Sequence, residues 1–400
     1  MNVVSQIQRF NAGRDPERLQ LKYSAMRTNP FVFLRGTCHL FYDRLPLGDV
    51  FKTAPLAWVC GDLHLENFGS YKGDNRLAYF DLNDFDEAAL APASWDLVRF
   101  LTSLRIGADS LAVTGDEAQT LCQTFLDAYA SALALGKAYW VERDTADGLV
   151  RALLDGLRNR SRVAFLDSRT TLKGKKRLLR VDGKKALPAT PAQRAAVTDF
   201  MHDFAKGLPN PDFYAVRDVA RRIAGTGSLG VDRYVILVEG KGSPDSNYIL
   251  DLKKSLPSSL MPHLNVTQPA WESEAARVVA LQRRVQAVSM AFLQPVNFAG
   301  AGHVLRGLQP SEDRVTLDRS SSRTLSDLEQ VIGAMGRIVA WDQLRSAGRA
   351  GSALTDELIE FGHRTPWKAS LLDASQECVA QVRKDWDLYC VAFDDGTFRA

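Results

Sequence analysis

Side chains capable of chemistry are concentrated in one short segment, VCGDLHLENFG, at residues 59–69. Asp62, His64 and Asn67 bring a carboxylate, an imidazole and an amide into it. Buried polar groups are costly unless they are paired, so a simple core segment would not carry so many. Carboxylate and amide oxygens suit a hard cation such as Mg²⁺. The segment therefore predicts a chemical site, and other elements must position it.

A glycine-rich segment, GTGSLG at residues 225–230, matches the pattern G-x-G-x-x-G, which two kinds of phosphate site share. A dinucleotide fold requires a helix directly after the glycines. The residues that follow here, VDRYVILVEG, favour a strand instead. A glycine loop between two strands is the kinase arrangement, in which the loop covers the phosphates of ATP. An ordinary glycine-rich hairpin is the alternative. The predicted nucleotide contacts are Gly225, Thr226, Gly227, Ser228 and Gly230.

Two features downstream, a strand lysine and a helix glutamate, strengthen the kinase interpretation. The predicted strand NYILDLKKS carries Lys253 near its end, where a kinase lysine binds the phosphates. The next predicted helix opens with Glu272 and Glu274, and one of them is expected to pair with Lys253. Glu274 is preferred because it lies one turn before Val278, nearer the face that packs inward.

The same interpretation assigns roles in the polar loop. Kinase-like phosphotransferases place a catalytic Asp after a strand and a metal-binding Asn five residues later, which is the spacing of Asp62 and Asn67. His64 is then expected to orient the loop. A β-hairpin should follow and end in a second metal-binding Asp. Spacing back to Asn67 favours Asp81 for this role, whereas spacing forward to Asp96 favours Asp84. Asp81 ranks first.

The order of these motifs is inverted relative to ordinary kinases, because the polar loop precedes the glycine loop. Two lobes can keep their contacts when the termini move to surface loops. The prediction is therefore an α+β, two-lobed, protein-kinase-like fold in circularly permuted order, with a small antiparallel β lobe and a larger helical lobe. The predicted parts are residues 1–155 with the catalytic loop, 156–210 as a basic connector, 211–310 as the small β lobe, and 311–400 as C-terminal helices that complete the helical lobe.

The sequences of these motifs resemble those of two known protein families. The segment CGDLHLEN is similar to the loop H-G-D-x-H-x-x-N of aminoglycoside phosphotransferase-type kinases, with Cys60 in place of the first His. Over about residues 20–345, the segments NPFVFLRGTCHLFY, WVCGDLHLENFG, FDLNDFDEA, WDLVRF and DVARRIAGTGSLG look like the bacterial family catalogued as domain of unknown function 2252. That family is grouped by similarity with protein-kinase-like proteins. Lys254 and Gln343 stand where this resemblance implies an acidic residue and a His.

Together these features predict an ATP- and Mg²⁺-dependent phosphotransferase that acts on an unidentified small-molecule or protein hydroxyl. A nucleotide-binding pseudokinase that serves as a scaffold or sensor is one alternative. An enzyme that transfers AMP is another, since the same parts could hold ATP in a reversed pose. Asp62 argues for catalysis, because a protein that only binds ATP does not need it.

The composition of the chain indicates where the protein is expected to act and which partners are not expected. The chain has 400 residues, a formal charge of +3 and five Cys without a CxxC pair, so neither a disulfide framework nor a zinc site is indicated. No leader or apolar run of about 18 residues stands out, and the expectation is a cytoplasmic protein without a membrane partner. Residues 158–185 hold eleven Lys or Arg. They are interpreted as a solvated hairpin or connector, and a nucleic-acid partner is not expected.

Overall fold

The computed structural model describes residues 2–158, 160–308, 314–318 and 323–399. They form an α+β fold, as predicted. The helices are α1 Val3–Phe10, α2 Pro16–Met26, α3 Pro30–Gly36, α4 Cys38–Asp43, α5 Val50–Thr53, α6 Ser94–Ile106, α7 Ala108–Leu111, α8 Gly115–Leu135, α9 Gly148–Arg158, α10 Arg162–Arg169, α11 Pro191–Ala205, α12 Glu274–Val285, α13 Leu325–Ser346, α14 Thr355–His363 and α15 Pro366–Asp394. The strands are β1 Leu56–Val59, β2 Phe68–Lys72, β3 Ala78–Leu82, β4 Ala89–Pro92, β5 Thr170–Lys173, β6 Lys176–Leu179, β7 Ala186–Pro188, β8 Val216–Arg222, β9 Arg233–Val238, β10 Tyr248–Lys254, β11 Gln294–Phe298 and β12 Ala301–Gly307.

The largest sheet has six antiparallel strands in the order β11-β12-β10-β9-β8-β7. Strand alternation divides the residues of β10 between the two faces of the sheet. Leu250 and Leu252 pack in an apolar cluster with Val197 and Met201 of α11. Asp251 and Lys253 therefore lie on the opposite face, which carries the polar groups described below.

The helical part surrounds the polar loop. Helix α6 is buried along almost its whole length, and α8 packs against α13 and α14. Gly336 and Gly362 permit this close approach, because a Cβ on either would meet backbone atoms of α8 at 2.4 and 2.6 Å. Thr114 and Glu117 form a capping box at the start of α8, and Gly136 ends this helix in the left-handed conformation.

Two further segments of the chain contain several short elements each. Residues 16–43 form three successive helices, α2–α4, and Asn29 caps the second of them, which begins at Pro30. The segment predicted as a basic connector contains α10, the β5–β6 hairpin and β7, which pairs with β8. Within the described ranges, no helix combines the length and apolar character needed to cross a bilayer.

Candidate functional site

One cavity of about 900 Å³ lies against the polar face of the six-stranded sheet and brings the predicted motifs together. Most of the predicted site residues line it, namely Asp62, His64, Asn67, Asp84, Gly225, Thr226, Gly227, Ser228 and Lys253. Asp81, Gly230 and Glu274 are not among the described residues that line it. Residues separated by about 160 positions in the chain thus face the same space.

The polar loop, residues 60–67, follows β1, and helix α6 holds its first residues. Asp96, in the first turn of α6, accepts hydrogen bonds from the backbone N–H groups of Cys60 at 2.7 Å and Gly61 at 2.9 Å. Gly61 has φ +82°, and a Cβ there would lie 2.4 Å from the carbonyl oxygen of Glu87. Burial raises the pKa of Asp96 to about 7. These contacts give the loop one conformation.

Asp62 is fixed by a buried arginine of the same helix. Arg99 donates to the Asp62 carboxylate from Nε at 3.1 Å and from Nη2 at 2.5 Å. Asn67 donates from Nδ2 to the backbone oxygen of Asp62 at 2.7 Å, which sets the five-residue turn between them. Burial raises the pKa of Asp62, and Arg99 opposes this change. The carboxylate is thus held at the cavity wall in a position suited to accept a proton.

His64 and Arg35 close the other end of the loop. His64 Nδ1 accepts from the backbone N–H of Glu66 at 3.1 Å, and Arg35 forms an ion pair with Glu66 at 2.6 Å. Burial, assisted by Arg35, holds the pKa of His64 well below its usual value. A neutral imidazole in these contacts orients the backbone of the loop.

The two acidic residues predicted as alternative metal ligands, Asp81 in β3 and Asp84 just after it, occupy different surroundings. Asp81, which ranked first as a metal ligand, is buried 3.6 Å from Arg345 and close to Asp342. Asp84 is exposed within the cavity. Loss of solvent inside the cavity raises the pKa of Asp84. The positive charges of Lys253 and Arg306 outweigh this effect, and the net shift of the pKa is downward. Of the two candidates, Asp84 is the one whose residue lines the cavity.

Lys253 and Glu274 have other partners than the sequence predicts. The Lys253 side chain is 7% exposed and forms its ion pair with Asp86. Glu274 pairs with Arg277 at 2.7 Å, and Arg277 in turn donates to the backbone oxygen of Asp86 at 2.8 Å. The contact between α12 and the acidic segment therefore runs through Arg277. Sequence reasoning missed this role of Asp86, although it lies in the segment FDLNDFDEA.

The glycine loop joins β8 and β9, as predicted, and its tip is held by the N-terminal helices. Arg14 Nη1 and Lys22 Nζ donate to the carbonyl oxygen of Gly227 at 2.8 and 3.0 Å. The backbone N–H of Asp15 donates to the carbonyl oxygen of Gly230 at 2.9 Å. We call Arg14, Asp15 and Lys22 the N-terminal latch. The sequence carries no local signal for it.

Sequence reasoning also missed a cluster of arginines on the polar face of the sheet. Arg222, Arg233 and Arg306 line the cavity and surround Asp251, which is 0% exposed. Period-two alternation between Asp251 and Lys253 is the signal that could have found it. Among the described residues, twelve Lys or Arg and six Asp or Glu line the cavity, so its charge favours an anionic ligand.

The donor set fits magnesium better than a metal held by protein alone. The described residues contain no group of three or more His, Cys, Asp or Glu arranged for a metal ion. Mg²⁺ is usually bound by one or two carboxylates together with water and substrate phosphates. Asp84 and Asn67 supply oxygen ligands of that kind at the cavity wall.

Lys254 and Gln343 stand where the family resemblance implies other residues, and both have defined surroundings in the structure. Lys254 lines the cavity. Gln343 is buried in α13 and accepts a hydrogen bond from the hydroxyl of Tyr129 at 2.5 Å.

Comparison with known proteins supports the resemblance to the bacterial family. Neither a curated protein nor a solved structure matches the chain. A family described as "Uncharacterized protein conserved in bacteria (DUF2252)" matches residues 14–392, which is nearly the whole chain. The chain belongs to this bacterial family.

Proposed function

We propose that the protein is an ATP- and Mg²⁺-dependent transferase that moves a phosphorus-containing group from ATP to a hydroxyl of an acceptor. One observation carries the proposal. The glycine loop, Lys253 and the loop from Asp62 to Asn67 line a single cavity although they are far apart in sequence. A nucleotide triphosphate needs such an assembly of backbone, cation and acidic groups around it.

The connectivity supports a kinase-like fold in permuted order. A glycine loop joins neighbouring antiparallel strands β8 and β9, the next strand carries Lys253, and helix α12 follows. This is the order of parts in the kinase small lobe. The polar loop comes earlier in the chain and supplies the other side of the cavity. A permuted two-lobed arrangement accounts for both facts.

Four residues that line the cavity have separate roles in this proposal. Asp62 orients the acceptor hydroxyl and accepts its proton, with Arg99 holding the carboxylate in place. Lys253 exchanges its pairing with Asp86 for a pairing with phosphate. Asn67 and Asp84 would hold Mg²⁺, which neutralises charge on the phosphates when bound.

A nucleotide-binding scaffold is the second candidate, and two contacts favour it. Asp62 is engaged by Arg99 and Lys253 by Asp86, so the two residues with the most direct chemistry both have protein partners. A scaffold would keep these pairs, whereas an enzyme must open at least the second of them.

Nucleotide binding is tested with Lys253→Ala. ATP with Mg²⁺ is expected to raise the melting temperature of the native protein, since a ligand that binds only the folded state stabilises it. The variant should lose most of this rise, measured by scanning fluorimetry or calorimetry. Lys206→Ala, on an exposed ion pair, is the control and should respond as the native protein does. An unchanged melting temperature at millimolar ATP would remove the nucleotide site.

A further inference from the structure

The arginine cluster on the sheet has more positive charge than its own partner can balance. Arg233 donates to Asp251 from Nε at 2.8 Å and from Nη2 at 2.6 Å, and Arg222 lies 2.6 Å from the same carboxylate. Arg306 is the most distant, at 3.4 Å. Burial and the neighbouring Arg233 lower the pKa of Arg222 to about 9. Three guanidinium groups thus share one carboxylate, and an additional anion would relieve their repulsion.

The cluster occupies the surface that a kinase leaves apolar. In the kinase signature V-A-I-K, the residue two positions before the lysine is alanine, and strand alternation puts it on the same face as the lysine. Asp251 holds that position here, on the face of Lys253. A flat, uncharged base at this place would have to pack against three guanidinium groups that line the cavity. Phosphate oxygens, by contrast, match the fork geometry of arginine.

The cluster lies near the candidate metal ligand as well. Lys253, Arg233 and Arg306 line the same cavity as Asp84. The space between the sheet and Asp84 is therefore bounded by cations on one side and a carboxylate on the other. A polyphosphate with a divalent cation has the charge pattern that such a space requires.

The two ends of the glycine loop differ in chemistry. Arg222 and Arg233 flank its base, and Arg233 Nη1 donates to the carbonyl oxygen of Ala224 at 3.3 Å. At the tip, Arg14 contacts Gly227 and lies 4.9 Å from the ring centre of Phe10. Phe10 stacks on His39 with ring centres 3.9 Å apart, and both line the cavity. Cations lie at both ends of the loop, but the tip adds the aromatic pair Phe10 and His39, which suits a purine better than the arginine cluster does.

We propose that ATP binds with its terminal phosphate at Arg222, Arg233 and Arg306 and with its base towards Phe10 and His39. This orientation rests on the proposed function and determines which group moves. The α-phosphate then faces the polar loop. The acceptor hydroxyl gives its proton to Asp62, its oxygen forms a bond to the α-phosphorus, and the bond from that phosphorus to the α–β bridging oxygen breaks. Pyrophosphate leaves with the electron pair, and AMP is transferred.

The first test uses water as the acceptor. The native protein at high concentration is incubated with ATP and Mg²⁺, and the products are separated by anion-exchange chromatography, with Asp62→Asn as the blank. AMP and pyrophosphate are the expected products. ADP and inorganic phosphate would overturn the orientation while leaving an ATP-dependent transferase in place.

The second test measures binding and decides the question even if hydrolysis is undetectable. Arg306→Gln is the variant, because Asp251 keeps Arg222 and Arg233 as partners. The matched control is Arg217→Gln, which removes an exposed guanidinium of β8 that pairs with Glu239. Calorimetric titrations use ATP, tripolyphosphate and AMP.

Arg306→Gln is expected to weaken ATP and tripolyphosphate about tenfold, the effect of losing one charge-assisted contact, and to change AMP affinity by less than about twofold. Arg217→Gln should change none of them. An equal loss for AMP and ATP, or no loss for either, would show that the cluster does not bind the terminal phosphate. Failure of the native protein to bind ATP at all would instead remove the proposed function.

Discussion

Asp62 combines two properties that bear on catalysis. It is held by two hydrogen bonds from Arg99, and its pKa is raised by burial. The first property fixes its direction, and the second makes it a better proton acceptor than an exposed carboxylate.

We predict that Asp62→Asn abolishes turnover without abolishing binding. The amide keeps nearly the same volume but cannot accept a proton, so the rate should fall about 10²- to 10⁴-fold. Affinity for ATP with Mg²⁺ should change little. Product release and calorimetric titration measure the two quantities. Asp109→Asn, at an exposed position of α7, controls for the loss of one carboxylate. Equal product release from variant and native protein would favour the scaffold function.

The identities of the acidic ligands show what sequence can predict at this scale. The spacing of Asp62 and Asn67 predicted that both line one site, and both line the cavity. The choice between Asp81 and Asp84 could not be made in the same way. Strand β3 ends at Leu82, so alternation no longer says where the following side chains point. Similarly, helical periodicity predicted which face of α12 packs inward. It could not predict how α12 is placed against β10, so the pairing of Lys253 with Asp86 in place of Glu274 was not predictable.

Among the elements, the turn between β1 and the polar loop has the most demanding geometry. Gly61 adopts φ +82°, and the carbonyl oxygen of Glu87 leaves no room for a Cβ. Tyr42 also donates its hydroxyl to the carbonyl oxygen of Gly61 at 2.5 Å. The turn therefore couples β1, α4 and the segment before β4 to the position of Asp62.

We predict that Gly61→Ala destabilises the protein and lowers its activity. The left-handed conformation alone costs about 1–2 kcal/mol for a residue with a Cβ, and the clash with Glu87 adds to it. Urea unfolding measures the free energy. Gly156→Ala in α9 is the control, because no atom lies within 4 Å of the added carbon. It should raise stability by about 0.5–1 kcal/mol. A Gly61 variant as stable as the native protein would mean that this turn can relax.

At the scale of the whole molecule, the sequence predicted which motifs meet but not what else surrounds them. Glycine loop, strand lysine and polar loop each carry a recognisable spacing, and together they imply a shared ligand. The N-terminal latch and the arginine cluster have no such spacing. Their members come from elements far apart in the chain, such as Lys22 with Gly227 and Arg306 with Asp251, and only packing brings them together.

For the proposed nucleotide site, the N-terminal latch has a consequence for the rate of nucleotide release. Lys22 is fully buried and bonded both to Gly227 and to the side chain of Asn11 at 2.9 Å. In many enzymes a loop over the ligand must open before product departs, and that opening sets the turnover. Here the loop cannot lift unless these bonds break. The residence time of a bound nucleotide should therefore be set by the first helices of the chain.

We predict that Lys22→Met shortens this residence time about tenfold, which corresponds to the loss of one charge-assisted bond. Stopped-flow displacement of a fluorescent ATP analogue measures the dissociation rate. Arg27→Gln removes an exposed ion pair at the end of the same helix and should leave the rate unchanged. If Lys22→Met releases nucleotide at the native rate, the loop opens without the latch. If it releases nucleotide faster, residues of the N-terminal latch control the lifetime of a complex whose binding site lies mostly elsewhere in the sequence.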